Sequence, residues 1–248
     1  MSLEFLDVDA AAKSERFSAV ARSPMERQAR AAGAQIEERE GWALAVTYGS
    51  SEQEAKTITQ AAGWADMSHL AKLELQAEPD MVQDIFAAST SARFDLGVAH
   101  RTGGAWWCPL APSRLLVISE PSASASVRRQ IEDAIGAAEK PASLVDVTTV
   151  FAALTIVGPL SREVFARFSA LDLRPRATPL GAVRPGSVAR QPGVVLREDE
   201  DRFLMLFGWA VAEYVWRQVD EAARHLGGAP VGVDALAPLD AAVEEVRG

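Results

Sequence analysis

Residues 64–76 read Trp64-Ala65-Asp66-Met67-Ser68-His69-Leu70-Ala71-Lys72-Leu73-Glu74-Leu75-Gln76. In an extended chain Ala65, Met67, His69, Ala71, Leu73 and Leu75 point one way, and Asp66, Ser68, Lys72, Glu74 and Gln76 the other. Strand side chains alternate with period two, so the stretch predicts one half-buried strand. Pro79 and Asp80 follow, and Val82, Ile85 and Phe86 mark a short helix. The same order of signals returns later. Asp146-Val147-Thr148 stands 80 residues after Asp66-Met67-Ser68, and Pro159 stands 80 after Pro79. Between these anchors each copy has an apolar strand, and after each proline comes a helix, over 161–168 in the second copy. Two such units predict a pseudo-symmetric α+β core and not a solenoid.

Outward from this pair, Ser23-Pro24-Met25-Glu26 predicts a helix start, with Ser23 as cap, Pro24 at the first position and Glu26 completing a capping box. That helix is expected to stop at Gly33. A second capping box, Ser51-Glu52-Gln53-Glu54, opens a helix running to Gly63. Between the copies, 114–119 reads as a buried strand, and Val127, Ile131, Ala134, Ile135 and Ala138 as a helix face. Short strands are expected near Val188, over 194–197 and over 202–207, separated by Pro185-Gly186, Pro192-Gly193 and the acidic turn 199–201. Val211, Val215, Val219, Ala222 and Leu226 then mark an amphipathic helix closed by Gly227-Gly228. The expected organisation is a loosely packed leader over 1–22, one domain over 23–228, and a tail over 229–248 ending in a surface turn of helix.

Lys plus Arg is 25 against 34 for Asp plus Glu, a net charge of −9, which argues against a nucleic-acid binder because phosphate neutralisation requires a basic surface. The longest apolar run, 203–212, is about half of the ~20 residues a membrane span needs. The first residues do not read as a signal peptide, and the single cysteine, Cys108, fits a reducing compartment. The expected location is the cytoplasm.

Candidate chemistry is sparse. His69, His100 and His225 have no metal-ligand spacing, and no phosphate-cradling glycine motif occurs, so neither a metal nor a nucleotide is expected. His69 reads as a core histidine and Cys108 as a buried structural thiol. Neighbouring strand residues face opposite ways, so Ser68 and His69 cannot form a triad with Asp66, and one of Trp106 and Trp107 should approach a surface or interface. Arg174, Arg176, Arg184, Arg190, Arg197 and Arg202 read as a solvated face with local pairs, or more sharply as a patch for an anionic ligand tail or partner.

Two stretches resemble a known superfamily. Residues 22–76 resemble the start of the glycine-cleavage T-protein (aminomethyltransferase) family, through the Pro24 helix, Gly41-Trp42, Val46-Thr47-Tyr48-Gly49-Ser50, Ala62-Gly63 and Asp66-Met67-Ser68-His69. Residues 105–226 resemble its sarcosine oxidase γ-subunit branch, through Trp107, Pro112-Ser113-Arg114-Leu115-Leu116-Val117, Val145-Asp146-Val147, the stretch 154–159, Leu171-Asp172-Leu173 and Tyr214-Val215-Trp216. The resemblance implies a folate-binding-type fold of α+β subdomains around a central hole, with no counterpart of the family's C-terminal barrel in this length. In the T-protein a carboxylate after a Gly-Gly turn activates one-carbon transfer; here Gly103-Gly104 leads into Ala105, Trp106, Trp107 and Cys108. A later family acid falls near Leu204, and a family arginine near Val233. The resemblance therefore implies a non-catalytic accessory subunit beside flavin-dependent oxidase subunits. The alternative is a tetrahydrofolate-dependent aminomethyltransferase or demethylase with a displaced acid, for which Asp66, His69 and Asp95 are the candidates. A folate-type ligand would be held by Tyr48, His69, Trp106, Trp107 and Arg202.

Overall fold

The computed structural model describes residues 19–138, 140–237 and 239. The stretch over 64–76 is not one strand. Gly63–Asp66 and Ala71–Ala77 are separate strands in different sheets, joined by a turn at 67–70. Nor is it half-buried: every residue from Met67 to Leu75 is buried. Alternation here separates two interior faces, because both sides of each sheet are covered. His69 accordingly lies in a turn and not on a strand.

The N-terminal part forms β1 (Ala21–Arg22), α1 (Glu26–Ala31), β2 (Gln35–Arg39), β3 (Trp42–Thr47) and α2 (Ser51–Gln60), its strands in the order β1-β3-β2. The first copy comprises β4 (Gly63–Asp66), β5 (Ala71–Ala77), α3 (Pro79–Thr90), β6 (His100–Thr102), β7 (Ala105–Ala111), β8 (Arg114–Ser119) and α4 (Pro121–Ala138). The second comprises β9 (Ala142–Asp146), β10 (Phe151–Val157), α5 (Ser161–Phe168), β11 (Val183–Val188), β12 (Gln191–Asp199), β13 (Arg202–Gly208) and α6 (Ala212–Arg224), after which come β14 (Ala229–Pro230) and a 3-10 turn over Val233–Ala235. One sheet has the order β6-β7-β8-β5-β9 and the other β11-β12-β13-β10-β4-β14. Each sheet thus takes four strands from one copy and exchanges one strand with the other.

The exchange follows an internal two-fold. Asp66 Oδ1 accepts from the Ser68 N–H at 3.0 Å, and Asp146 Oδ1 from the Thr148 N–H at 2.9 Å, so one turn chemistry ends both exchanged strands. Met67 N–H donates to Ala153 C=O at 2.9 Å, and Val147 N–H to Lys72 C=O at 2.8 Å. The two turn hydroxyls act alike: Ser68 Oγ accepts from Ala153 N–H and Thr148 Oγ1 from Lys72 N–H. Leu96-Gly97-Val98-Ala99 and Leu180-Gly181-Ala182-Val183 form a further matched pair that sequence reading missed. Ala99 N–H donates to Gly181 C=O at 2.7 Å and Val183 N–H to Gly97 C=O at 2.9 Å. Gly97 and Gly181 have φ of 76° and 73°, left-handed values that a side chain would strain.

Four layers result. Between the sheets lie Ala65, Met67, Trp106, Cys108, Leu116, Ile118, Leu196, Leu204 and Leu206. Outside the six-stranded sheet, Trp64, Leu154, Phe203, Met205 and Phe207 pack against Phe165 of α5 and Val215, Trp216 and Val219 of α6. Outside the five-stranded sheet, Leu73, Leu75, Trp107, Leu115 and Val117 pack against Val82 and Phe86 of α3 and Val127 and Ile131 of α4. Each fully buried side chain of this size contributes roughly 1.5–3 kcal/mol of burial, so all three cores are needed.

Several local expectations change. Ser23 caps no helix; its hydroxyl donates to Asp66, and Glu26 pairs with Arg22 and Arg30 instead of closing a box. The cap of α2 is Ser50, whose Oγ accepts from Gln53 N–H, and that helix ends at Gln60. The helix after Pro79 is 12 residues long. Residues 21–22 pair with Trp42 and Ala43, while the expected helical turn near the C-terminus falls largely outside the described residues. Among the described residues no helix is long and apolar enough to cross a membrane.

Candidate functional site

The rows of apolar residues facing each other across the inner core end in charge. On β8, Leu116 and Ile118 lead by period two to Glu120; on β12, Leu196 leads to Glu198; on β13, Leu206 and Leu204 lead to Arg202. Together with Met67, Leu70, Arg101, Gly104, Trp106 and Ser119, these charged residues line a cleft between the sheets. A bulge between Arg197 and Asp199 sets the end of β12 against β13. Arg202 Nε donates to Glu198 Oε2 at 3.0 Å, both side chains nearly buried at 9% and 12% exposure. The Arg101 guanidinium lies 5.9 Å from the Trp106 ring centre, a cation–π approach across β6 and β7. The cleft leaves about 30 Å³ of room, enough for a water or two.

His69 stands at this cleft through Glu120, its Nε2 4.0 Å from Glu120 Oε2, while its buried Nδ1 has no hydrogen-bond partner. Burial first, and the Lys72 cation second, pull its imidazole down from 6.5 to about 4. The folded state therefore excludes a proton that the unfolded chain binds below pH 6.5. Stability from this group is intact above pH 6.5, falls as the pH drops from 6.5 towards 4, and levels below 4. The gap corresponds to about 3 kcal/mol. In urea unfolding across that range, His69→Gln should lose this much less stability than the parent; parallel pH profiles would remove the assignment.

A second cluster lies at the crossover. Asp66 is pinned by the Ser23 hydroxyl and the Ser68 N–H, and burial raises its carboxyl above the ordinary aspartate value. Tyr48 has a buried hydroxyl without a hydrogen-bond partner, and burial with the nearby Asp66 and Glu54 charges pushes its phenol upward. Lys72 is fully buried and its Nζ donates to the carbonyls of Ser68 at 2.9 Å and Leu70 at 2.8 Å.

The residues expected to share one site are therefore dispersed. Trp106 and Arg202 line the cleft and His69 adjoins it. Trp107 belongs to the outer core against α3 and α4, while Trp106, 6% exposed, is the one of the two that faces the cleft. Asp66 and Tyr48 belong to the crossover cluster. Asp95 is half-exposed and paired with Arg93 at 3.1 Å, and is not among the residues that line the cleft. The arginine stretch is not a uniform solvated face: Arg197 is buried and donates to the carbonyls of Thr178, Asp199 and Glu200, and Arg184 donates to those of Gly97, Val183 and Ala177. Cys108 is wholly buried, and burial drives its thiol upward, which leaves it inert. Sequence reading missed Arg101, Glu120 and Glu198. Their signal is the period-two continuation of apolar rows, readable only once the facing sheets are known. The resulting site has a carboxylate, Glu198, but already engaged by Arg202.

A duplicated helix–sheet–sheet–helix core with strand exchange and a small charged cleft defines the class of protein. The chain belongs to the GCVT N-terminal domain family, whose model matches residues 25–241. Among solved structures it is similar to the heterotetrameric sarcosine oxidase from Corynebacterium sp. U-96, at 19% identity and a TM-score of 0.64, covering 85% of this chain and 98% of that one. It is also similar to the glycine cleavage system aminomethyltransferase T from Bartonella henselae, at 14% identity and a TM-score of 0.71, covering 88% of this chain and 61% of that one. Comparison with the curated proteins gives no match. At these identities the likeness speaks for the fold.

Proposed function

We propose that this chain is a non-catalytic accessory subunit of T-protein type, resembling the γ subunit of sarcosine oxidase. It would stand beside flavin-dependent oxidase subunits in folate-linked one-carbon metabolism in the cytoplasm. The observation that carries the reading is the cleft: about 30 Å³ of room, where pockets for drug-sized ligands need roughly 300–1,000 Å³. The matched sarcosine oxidase chain, covered over 98% of its length, belongs to a heterotetramer, which favours an assembly partner over a free enzyme. Isothermal calorimetry with tetrahydrofolate should give no binding heat up to about 1 mM, a level at which even a weak specific site would register. Micromolar binding would overturn the proposal.

Glu198 favours the second reading, a tetrahydrofolate-dependent aminomethyl or methyl transferase with a displaced acid. Its carboxylate faces the cleft, and a positioned acid or base contributes roughly 10²–10⁴-fold in rate. That reading requires the Arg202–Glu198 pair to open and the sheets to part around a pterin. The same titration separates the two.

A further inference from the structure

The internal two-fold makes β4 and β9 equivalent strands, yet their outer edges are treated differently. The edge of β4 is covered by β14, which runs parallel to it: Ala229 N–H donates to Ala62 C=O at 3.3 Å and Val231 N–H to Trp64 C=O at 2.9 Å. Pro230 sits between these donors, where a missing N–H costs nothing. Strand β9 is the last of its sheet, and among the described residues nothing pairs with its outer edge. The register carries over, since Trp64 lies opposite Ile156 and Leu144 opposite Leu75. In an antiparallel pair the N–H and C=O of one residue point the same way. Ala142 and Leu144 therefore turn their carbonyls outward as Ala62 and Trp64 do.

The side chains tell the same story. Val145 and Val150 stand 80 residues after Ala65 and Leu70. Ala65 and Leu70 are 0% and 6% exposed, in the inner core that Val231 and Leu236 help to close, whereas Val145 and Val150 are 49% and 53% exposed. One of two equivalent places is sealed by the chain's own C-terminal segment; the other presents a bare edge beside two uncovered valines, a template for strand addition.

We infer that the outer edge of β9 docks an extended segment of a partner polypeptide, added in parallel as β14 is added to β4. The segment donates two N–H groups, two residues apart, to the carbonyls of Ala142 and Leu144. It also lays an apolar side chain, in the role of Val231, over Val145 and Val150. The kind of partner, an oxidase subunit, rests on the accessory reading above; the site does not.

Amide exchange on the chain alone should show the Leu144 N–H exchanging at least about 100-fold faster than that of Trp64. A synthetic peptide of residues 227–236, which carries the β14 pattern, serves as the probe. At millimolar concentration it should shift the amide signals of 142–146 and slow Leu144 exchange. Val145→Lys, at an exposed position and with an unchanged melting temperature, should weaken that effect at least about tenfold by placing a charge on the edge. The inference is overturned if Leu144 is already protected in the chain alone, which would mean that its own termini cover the edge. It is equally overturned if the peptide leaves 142–146 unmoved at about 10 mM. Peptide binding in a chain that associates with no oxidase subunit would remove the accessory reading and still support this docking edge.

Discussion

Lys72→Ala is expected to cost about 3–5 kcal/mol of folding stability, the range for breaking a buried charged network on one side. The ammonium group is the tie between the two copies. Besides the carbonyls of Ser68 and Leu70, it reaches Thr148 C=O at 3.4 Å, so one side chain spans both crossover turns. Its counterpart under the internal two-fold is Ala153, whose N–H bonds to Ser68 Oγ as that of Lys72 bonds to Thr148 Oγ1. A single cation thus serves a symmetric junction. Removing it leaves three carbonyls without this donor and takes away the cation that lowers the buried Asp66 carboxyl. Lys72→Met keeps most of the stem volume without the donors and should recover only the packing share of the loss. Burial pulls the amine down from 10.5 to about 7, so the unfolded chain holds this proton where the folded one does not. The parent should gain stability relative to Lys72→Met as the pH rises from 7 to 10.5. Chemical denaturation of the three proteins measures each term, and a loss below about 1 kcal/mol for Lys72→Ala would sink the tie.

Gly232→Ala should be nearly as damaging, at about 3 kcal/mol or more, beyond ordinary overpacking because the obstruction is backbone. A Cβ at this position would lie 1.9 Å from Val46 O and 2.4 Å from Thr47 N, neither of which can swing aside as a side chain would. The close approach is held by Glu54. Its carboxylate accepts from Thr47 Oγ1 at 2.5 Å, Tyr48 N–H at 2.7 Å and Gly232 N–H at 2.7 Å, joining α2, the end of β3 and the segment after β14. The substitution therefore pushes the C-terminal segment from its seat and uncovers the outer edge of β4. Thermal unfolding should show a large fall in melting temperature, with faster amide exchange at Trp64. An unchanged melting temperature would mean that the segment is not seated there.

The duplication was legible because its signals are local. Asp66 and Asp146 each turn the chain with their own carboxylate, Pro79 opens a helix and Pro159 shortly precedes one, so the anchors stand out in a linear reading. The amphipathic helices α4 and α6 were legible for the same reason, each showing one apolar face. The exchange of β4 and β9 between sheets was not. A strand buried on both sides has the same pattern whether it continues or crosses over, and the alternation from Ala65 to Leu75 hid the turn at 67–70.

Chain chemistry by itself determined the two copies and the places of the helices, since each depends on neighbours within a few residues. Tertiary structure alone decided that Trp106 faces the cleft while Trp107 faces α3 and α4. It also decided that Asp95 stands apart, and that Glu198, Arg202, Arg101 and Glu120 meet. The physical reason is that Glu120 and Arg101 come from one sheet and Glu198 and Arg202 from the other, so they share a cleft only once packing across the exchanged strands sets the two sheets face to face.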